Sequence, residues 1–175
     1  MSPLEEHHHA LLQRWRKVIN LVGKGPLEPH FEDARRAVGW LDAKGDWADL
    51  GSGAGFPGVA LAALYPQARV LLVESRSKRA SFLDQVAAAA DNLSVLCERS
   101  ETLQDASFDG LISRAYKPPR DCLVDALRLL RPGGTVVLML ARQEPPTLDG
   151  LELFHVEHYD LDGRPRQAAG YRKLL

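Results

Sequence analysis

The sequence predicts an α/β fold: a seven-stranded, mostly parallel sheet with an antiparallel last strand, helices on both faces and a helical cap at the N-terminus. Three observations predict it. Apolar β-type runs alternate with helical runs from residue 47 onward, the pattern of a parallel sheet whose crossovers are helices. A glycine-rich segment, Asp49-Leu50-Gly51-Ser52-Gly53-Ala54-Gly55, joins the first of these strands to the first of these helices. Glu74 ends the next strand nineteen residues after Gly55, near the separation that a strand-helix-strand unit requires.

The elements follow in order. From Leu4 to Leu21, Leu11, Leu12, Trp15, Val18 and Ile19 recur at three- and four-residue steps, one face of an amphipathic helix. Gly23-Lys24-Gly25-Pro26 ends it, and Phe31–Leu41 reads as a second helix with Ala34, Val38 and Leu41 inward. After the Gly45-Asp46 turn come strand one at Trp47–Leu50 and a helix at Pro57–Leu64. Strand two is Arg69–Val73, and its helix, about Ser77–Ala90, turns Ala80, Phe82, Leu83, Val86 and Ala87 to the sheet. Strand three is Leu93–Cys97, strand four Phe108–Ser113, and Cys122–Leu130 a helix. The Pro132-Gly133-Gly134 turn introduces strand five, Thr135–Leu140. Leu151–Tyr159 and Gly170–Leu174, joined through Asp162-Gly163-Arg164-Pro165, supply the sixth and seventh strands.

Composition bounds the rest. A chain of 175 residues with 45% apolar side chains supports one substantial core, so residues 1–44 are expected to form a cap within the same domain as a 45–175 core. A net charge of −1 gives no global pull toward nucleic acid, and any RNA contact must be a local patch. Cys97 and Cys122 have no CxxC spacing; they read as buried thiols of a cytoplasmic protein rather than a disulfide or zinc framework. His7-His8-His9 point in different directions on a helix and read as a solvated helix start, so no metal is expected.

The glycine loop decides the cofactor class. A phosphate-binding P-loop ends in Gly-Lys-Ser/Thr, and Phe56-Pro57-Gly58 stands there instead. The dinucleotide fingerprint needs a glycine at Phe56, so a nicotinamide enzyme fits poorly. The remaining pattern, apolar-Asp-x-Gly-x-Gly-x-Gly, resembles motif I of Rossmann-like class I S-adenosylmethionine-dependent methyltransferases. That resemblance implies that the backbone of Gly51, Gly53 and Gly55 packs against the methionine part of S-adenosyl-L-methionine, with Asp49 near its ammonium. Glu74 then takes the ribose hydroxyls, since a carboxylate accepts two hydrogen bonds at once.

The whole chain further resembles the bacterial 16S ribosomal RNA guanine-N7 methyltransferases, also called RsmG or glucose-inhibited division protein B. The quotable pieces are Trp15 with Asn20-Leu21, His30-Phe31-Glu32-Asp33, Asp49 through Gly58, Glu74-Ser75 with Lys78-Arg79, Arg99-Ser100-Glu101 and Ser113-Arg114-Ala115. The resemblance implies cofactor contacts at Gly51, Phe56, Glu74, Ser100, Glu101 and Arg114. It implies a substrate guanine in the 530 loop of 16S ribosomal RNA, carried free or in the small subunit. Guanine N7 has an in-plane lone pair, so orientation rather than a general base is required. Arg114 is the expected catalytic residue, orienting guanine O6. Lys78, Arg99 and Tyr116 are candidates for RNA contact, Tyr116 by stacking on a flipped base. The family's Leu-Lys-Gly after strand five is Leu140-Ala141-Arg142-Gln143 here. A methyltransferase for another RNA base or a small molecule, and a non-catalytic ribosome-binding relative, remain open at this point; a monomer is expected.

Overall fold

The computed structural model describes all residues from Met1 to Leu175. Its strands are β1 (Gly45–Leu50), β2 (Ala68–Val73), β3 (Leu93–Leu96), β4 (Phe108–Arg114), β5 (Leu130–Leu140), β6 (Leu151–Leu161) and β7 (Arg164–Lys173). They form one sheet in the order β3-β2-β1-β4-β5-β7-β6. Strands β1 to β5 pair in parallel, while β7 lies between β5 and β6 and runs antiparallel to both. The helices are α1 (Pro3–Trp15), α2 (Glu28–Val38), α3 (Gly58–Leu64), α4 (Ser77–Ala87) and α5 (Pro119–Leu129).

Two apolar clusters cover the sheet. Leu12, Phe31, Leu61, Phe82 and Leu83 bring α1 to α4 into one of them, and Leu123, Ala126 and Leu129 of α5 pack on Leu111 and Leu138 in the other. The cap is thus built into the larger core. The strand order changes direction between β1 and β4, the switch point at which open α/β sheets bind ligands beyond their carboxyl ends. The opposite ends are tied by charge: Asp46 pairs with Arg69, and Arg131 bridges Asp46 and Asp109.

Several boundaries differ from the sequence expectation. Helix α1 stops at Trp15 rather than Leu21, because the Arg16 guanidinium donates to the carbonyls of Gly23 and Gly25 and folds the intervening chain into turns. Val18, expected inward, is 77% exposed. Helix α4 ends at Ala87. Strand β5 begins five residues early, since Leu130 pairs with Phe108 and the Pro132-Gly133-Gly134 segment is accommodated as a register shift. Strand β7 begins at Arg164, not Gly170, because β6 continues to Leu161 and pairs with it directly across the turn. Cys97 lies just past β3 and is exposed, against the expectation of a buried thiol. His8 is fully buried rather than solvated.

Candidate cofactor cradle and substrate cavity

At the end of β1 the chain takes positive φ at Gly51 (70°), Gly53 (55°) and Gly55 (94°), a conformation for which side chains with a Cβ are poorly suited. The loop is anchored by hydrogen bonds. The Gly51 and Ser52 amides donate to Val73 O at 2.9 and 3.0 Å, and the Gly53 amide donates to Glu74 Oε2 at 2.9 Å. Glu74 Oε1 accepts the Arg76 amide at 2.9 Å. Each Glu74 oxygen therefore holds one backbone bond and keeps further lone pairs.

Asp49 is completely buried behind this loop. Its Oδ2 accepts the Gly58 amide at 2.9 Å, and its Oδ1 has no hydrogen-bond partner. Burial pushes its pKa up to about 7, against the opposing pull of the Gly58 amide and Arg114. An orphaned carboxylate oxygen is costly unless something donates to it.

His8 reaches the same loop from α1: its Nε2–H donates to Ala54 O at 2.7 Å. Its Nδ1 is buried without a partner, and burial lowers the pKa to about 4, so the ring is neutral. His8, Phe31, His30 and Arg114 surround Phe56, with ring centroids of His8 and Phe31 at 4.8 and 4.9 Å and the Arg114 guanidinium 5.0 Å from its centroid. Phe56 is only 2% exposed.

Arg114 leaves the end of β4 and faces Asp33 of α2, Nη1 to Oδ2 3.6 Å. Tyr159 of β6 donates to the same carboxylate, at Oδ1, at 2.9 Å. Burial, then Asp33, raises the Tyr159 pKa, so the phenol stays protonated. The chain Tyr159–Asp33–Arg114 thus fixes the guanidinium at the wall of a cavity of about 840 Å³. The cavity runs between residues 23–30, the ends of β4 and β5, and the β6–β7 hairpin. It lies beside the glycine loop rather than on it, and His30 and Cys122 also line it. The Cys122 Sγ donates to Lys117 O and burial raises its pKa, leaving a thiol rather than a nucleophilic thiolate.

The other sequence-selected residues fall as follows. Ser100 is buried after β3 and its hydroxyl bonds the Tyr116 hydroxyl. The Tyr116 ring lies directly over Gly51, on the cofactor side of Arg114, and is not part of the cavity lining. Glu101 is exposed and pairs with Lys117 at 3.1 Å. Lys78, at the start of α4, and Arg99 are exposed and lie outside the cavity. A Cβ at Gly53 would meet nothing closer than 3.8 Å, whereas one at Gly51 would run into Tyr116. Sequence reasoning alone does not select His8, Asp33 as the Arg114 partner, or Tyr159 for these roles. For His8 the signal is present, since Leu4, His8, Leu11, Leu12 and Trp15 share one helical face.

Among solved structures, the fold matches a variant of MtNAS in complex with S-adenosylmethionine, with TM-score 0.66 and 15% identity over 98% of this chain and 75% of that one. It also matches TrmN from Thermus thermophilus, with TM-score 0.58 and 19% identity over 87% of this chain and 55% of that one. The N-methyltransferase NodS from Bradyrhizobium japonicum WM9 gives 0.59 and 14%, covering 85% and 96%. Strand order, glycine loop and strand-end acid together define a Rossmann-like class I methyltransferase fold. Within that class the chain belongs to a particular family: residues 4–151 match GidB, described as rRNA small subunit methyltransferase G. Ribosomal RNA small subunit methyltransferase G of Pseudomonas aeruginosa is 40% identical over 119 residues, 64% of this chain and 56% of the relative. That of Pseudomonas putida is 39% identical over 125 residues, 63% and 58%. The chain therefore spans little more than half the length of these curated relatives.

S-adenosylmethionine, the cofactor of this class of fold, fits the residues present. The orphaned Asp49 Oδ1 needs a donor such as an ammonium, the loop backbone is open at Gly53, where a Cβ would meet nothing closer than 3.8 Å, and Glu74 has lone pairs left for vicinal hydroxyls.

Proposed function

We infer that this chain is an S-adenosylmethionine-dependent methyltransferase acting on N7 of a guanine in 16S ribosomal RNA, in the 530-loop region. Asp49, Gly51, Gly53, Gly55, Phe56, Glu74, Ser100, Glu101 and Arg114 would hold the cofactor, which supplies an electrophilic methyl on a sulfonium. Arg114, Lys78, Arg99 and Tyr116 would meet the RNA. Family membership supports the rRNA substrate. The observation that carries the base and the atom is Arg114 standing between the cradle and the cavity, braced by Asp33 and Tyr159.

Guanine N7 needs no proton removed before attack, so this reading requires no general base. His30, in the cavity lining, is held below its usual pKa by burial and by Arg114, which favours the neutral ring, and Asp33 is occupied by Arg114 and Tyr159. An arginine can donate to guanine O6, on the edge that carries N7; Arg114 would in this way orient the base toward the methyl donor, and orientation of this kind supplies much of a rate enhancement.

The test is transfer of labelled methyl to naked 16S RNA, to intact small subunits and to small-molecule acceptors, followed by mapping of the modified base. Label on a single guanine that confers N7-specific cleavage is expected. Label confined to another base or to small molecules, or absent altogether, overturns the reading. The partner in this proposal is 16S RNA or the small subunit, met by a cytoplasmic monomer in which residues 1–44 and 45–175 form one domain.

A further inference from the structure

The cavity has an uncompensated positive wall. Of its charged residues, Arg114 is paired with Asp33, and Lys117 with Glu101 and Asp125. Arg164 and Arg166, from β7 next to the hairpin turn, have no acid partner, and neither does Lys24 on the opposite rim. Asp162 is the only unpaired acid in the lining. Arg164 and Arg166 also line a second, smaller hollow of about 470 Å³, joined there by Arg142. The two arginines therefore stand on a ridge between two hollows, open to both.

Arg166 carries an additional mark. It pairs in register with Tyr159, the residue that holds the Asp33–Arg114 pair, and its Nε is buried with no acceptor. With Nε shut off from solvent, a phosphate in either hollow meets the terminal Nη groups of the guanidinium. The planar fork of an arginine matches a phosphate with two parallel hydrogen bonds.

We propose that Arg164 and Arg166, with Arg142 beside them, form a phosphodiester-binding track for the RNA strand flanking the base that enters the cavity. The inference rests on the rRNA reading above and assigns it a strand path along the β6–β7 hairpin. A strand laid over the ridge sends its base into the larger hollow toward Arg114 and its next phosphate into the smaller one.

The test is the binding of a 16S RNA fragment to the full chain, measured by anisotropy across a salt series, for the wild type and an Arg164→Gln, Arg166→Gln double variant. The double variant is expected to bind about tenfold more weakly, with the salt slope reduced by about 0.7 for each phosphate that is no longer neutralised. Its affinity for S-adenosylhomocysteine should be unchanged. Arg164 is exposed on the turn, so Arg164→Gln alone, expected to show about half the slope change, provides the same test without touching a packed residue. Lys44→Gln, just before the opposite end of β1, is expected to have no effect. Wild-type-like affinity and slope in the double variant overturn the track while leaving the methyltransferase reading intact. Failure of the wild type to bind either the RNA fragment or intact small subunits overturns both.

Discussion

Asp49 is the residue whose chemistry depends most on what lies beside it. With Oδ1 unpartnered it holds its proton up to about pH 7, because burial raises its pKa from 3.8. The unfolded chain loses that proton near 4, so the residue's contribution to stability is full below about pH 4 and is lost as pH rises toward 7. A bound ammonium reverses the preference by stabilising the carboxylate. Cofactor affinity should therefore weaken below pH 7, approaching tenfold per pH unit, with one proton released on binding. Calorimetry at pH 6 in buffers of different ionisation enthalpy measures that proton, and Asp49→Asn should abolish it. At this scale the sequence placed Asp49, Glu74 and the glycines at strand ends, and the structure has them there. It was silent on the pairing of Asp33 with Tyr159, which are 126 residues apart and meet only because β6 returns beside α2.

At the scale of elements, α1 is a latch on the glycine loop. Its capping box joins Ser2 and Glu5, and its buried face carries His8 to Ala54 O. The folded state keeps His8 neutral down to about pH 4, while the unfolded chain protonates near 6.5. Stability from this residue is present above pH 6.5 and is lost as pH falls to 4, on the order of 3 kcal/mol. His8→Phe should flatten that acid limb in denaturant titrations and cost about 1 kcal/mol at neutral pH for the carbonyl left unpaired. In the sheet, the β1–β4 contact depends on Gly110, over which the Trp47 indole lies so closely that a Cβ would overlap it. Gly110→Ala is expected to destabilise by about 1–3 kcal/mol, visible as a lower Tm. Strands β1 to β4 were legible as apolar runs. The start of β7 was not, since Arg164-Pro165-Arg166 reads as turn and is held in the sheet by hairpin pairing rather than by burial.

For the whole molecule, charge and function separate along the strand axis. The amino ends of the strands are closed by the Asp46, Asp109, Arg69 and Arg131 network, while the carboxyl ends carry cradle and cavity. A net charge near zero conceals this polarity, which is why composition was mute about RNA. A ligand that binds only the folded state raises its melting temperature. S-adenosylhomocysteine at a hundred times its Kd should add about 2.7 kcal/mol, roughly 5–10 °C for a chain of this size, and NAD should add nothing.

The Tyr116 ring rests on Gly51 and is bonded to Ser100, so the protein's own side chain occupies part of the bay that the methyl donor would enter. A newcomer reaching those two positions must evict that occupant, and the observed affinity is then the intrinsic one reduced by how rarely the bay stands open. Tyr116→Ala should bind S-adenosylhomocysteine more tightly and faster in stopped-flow measurements; weaker binding would mean that the ring serves the ligand instead of competing with it.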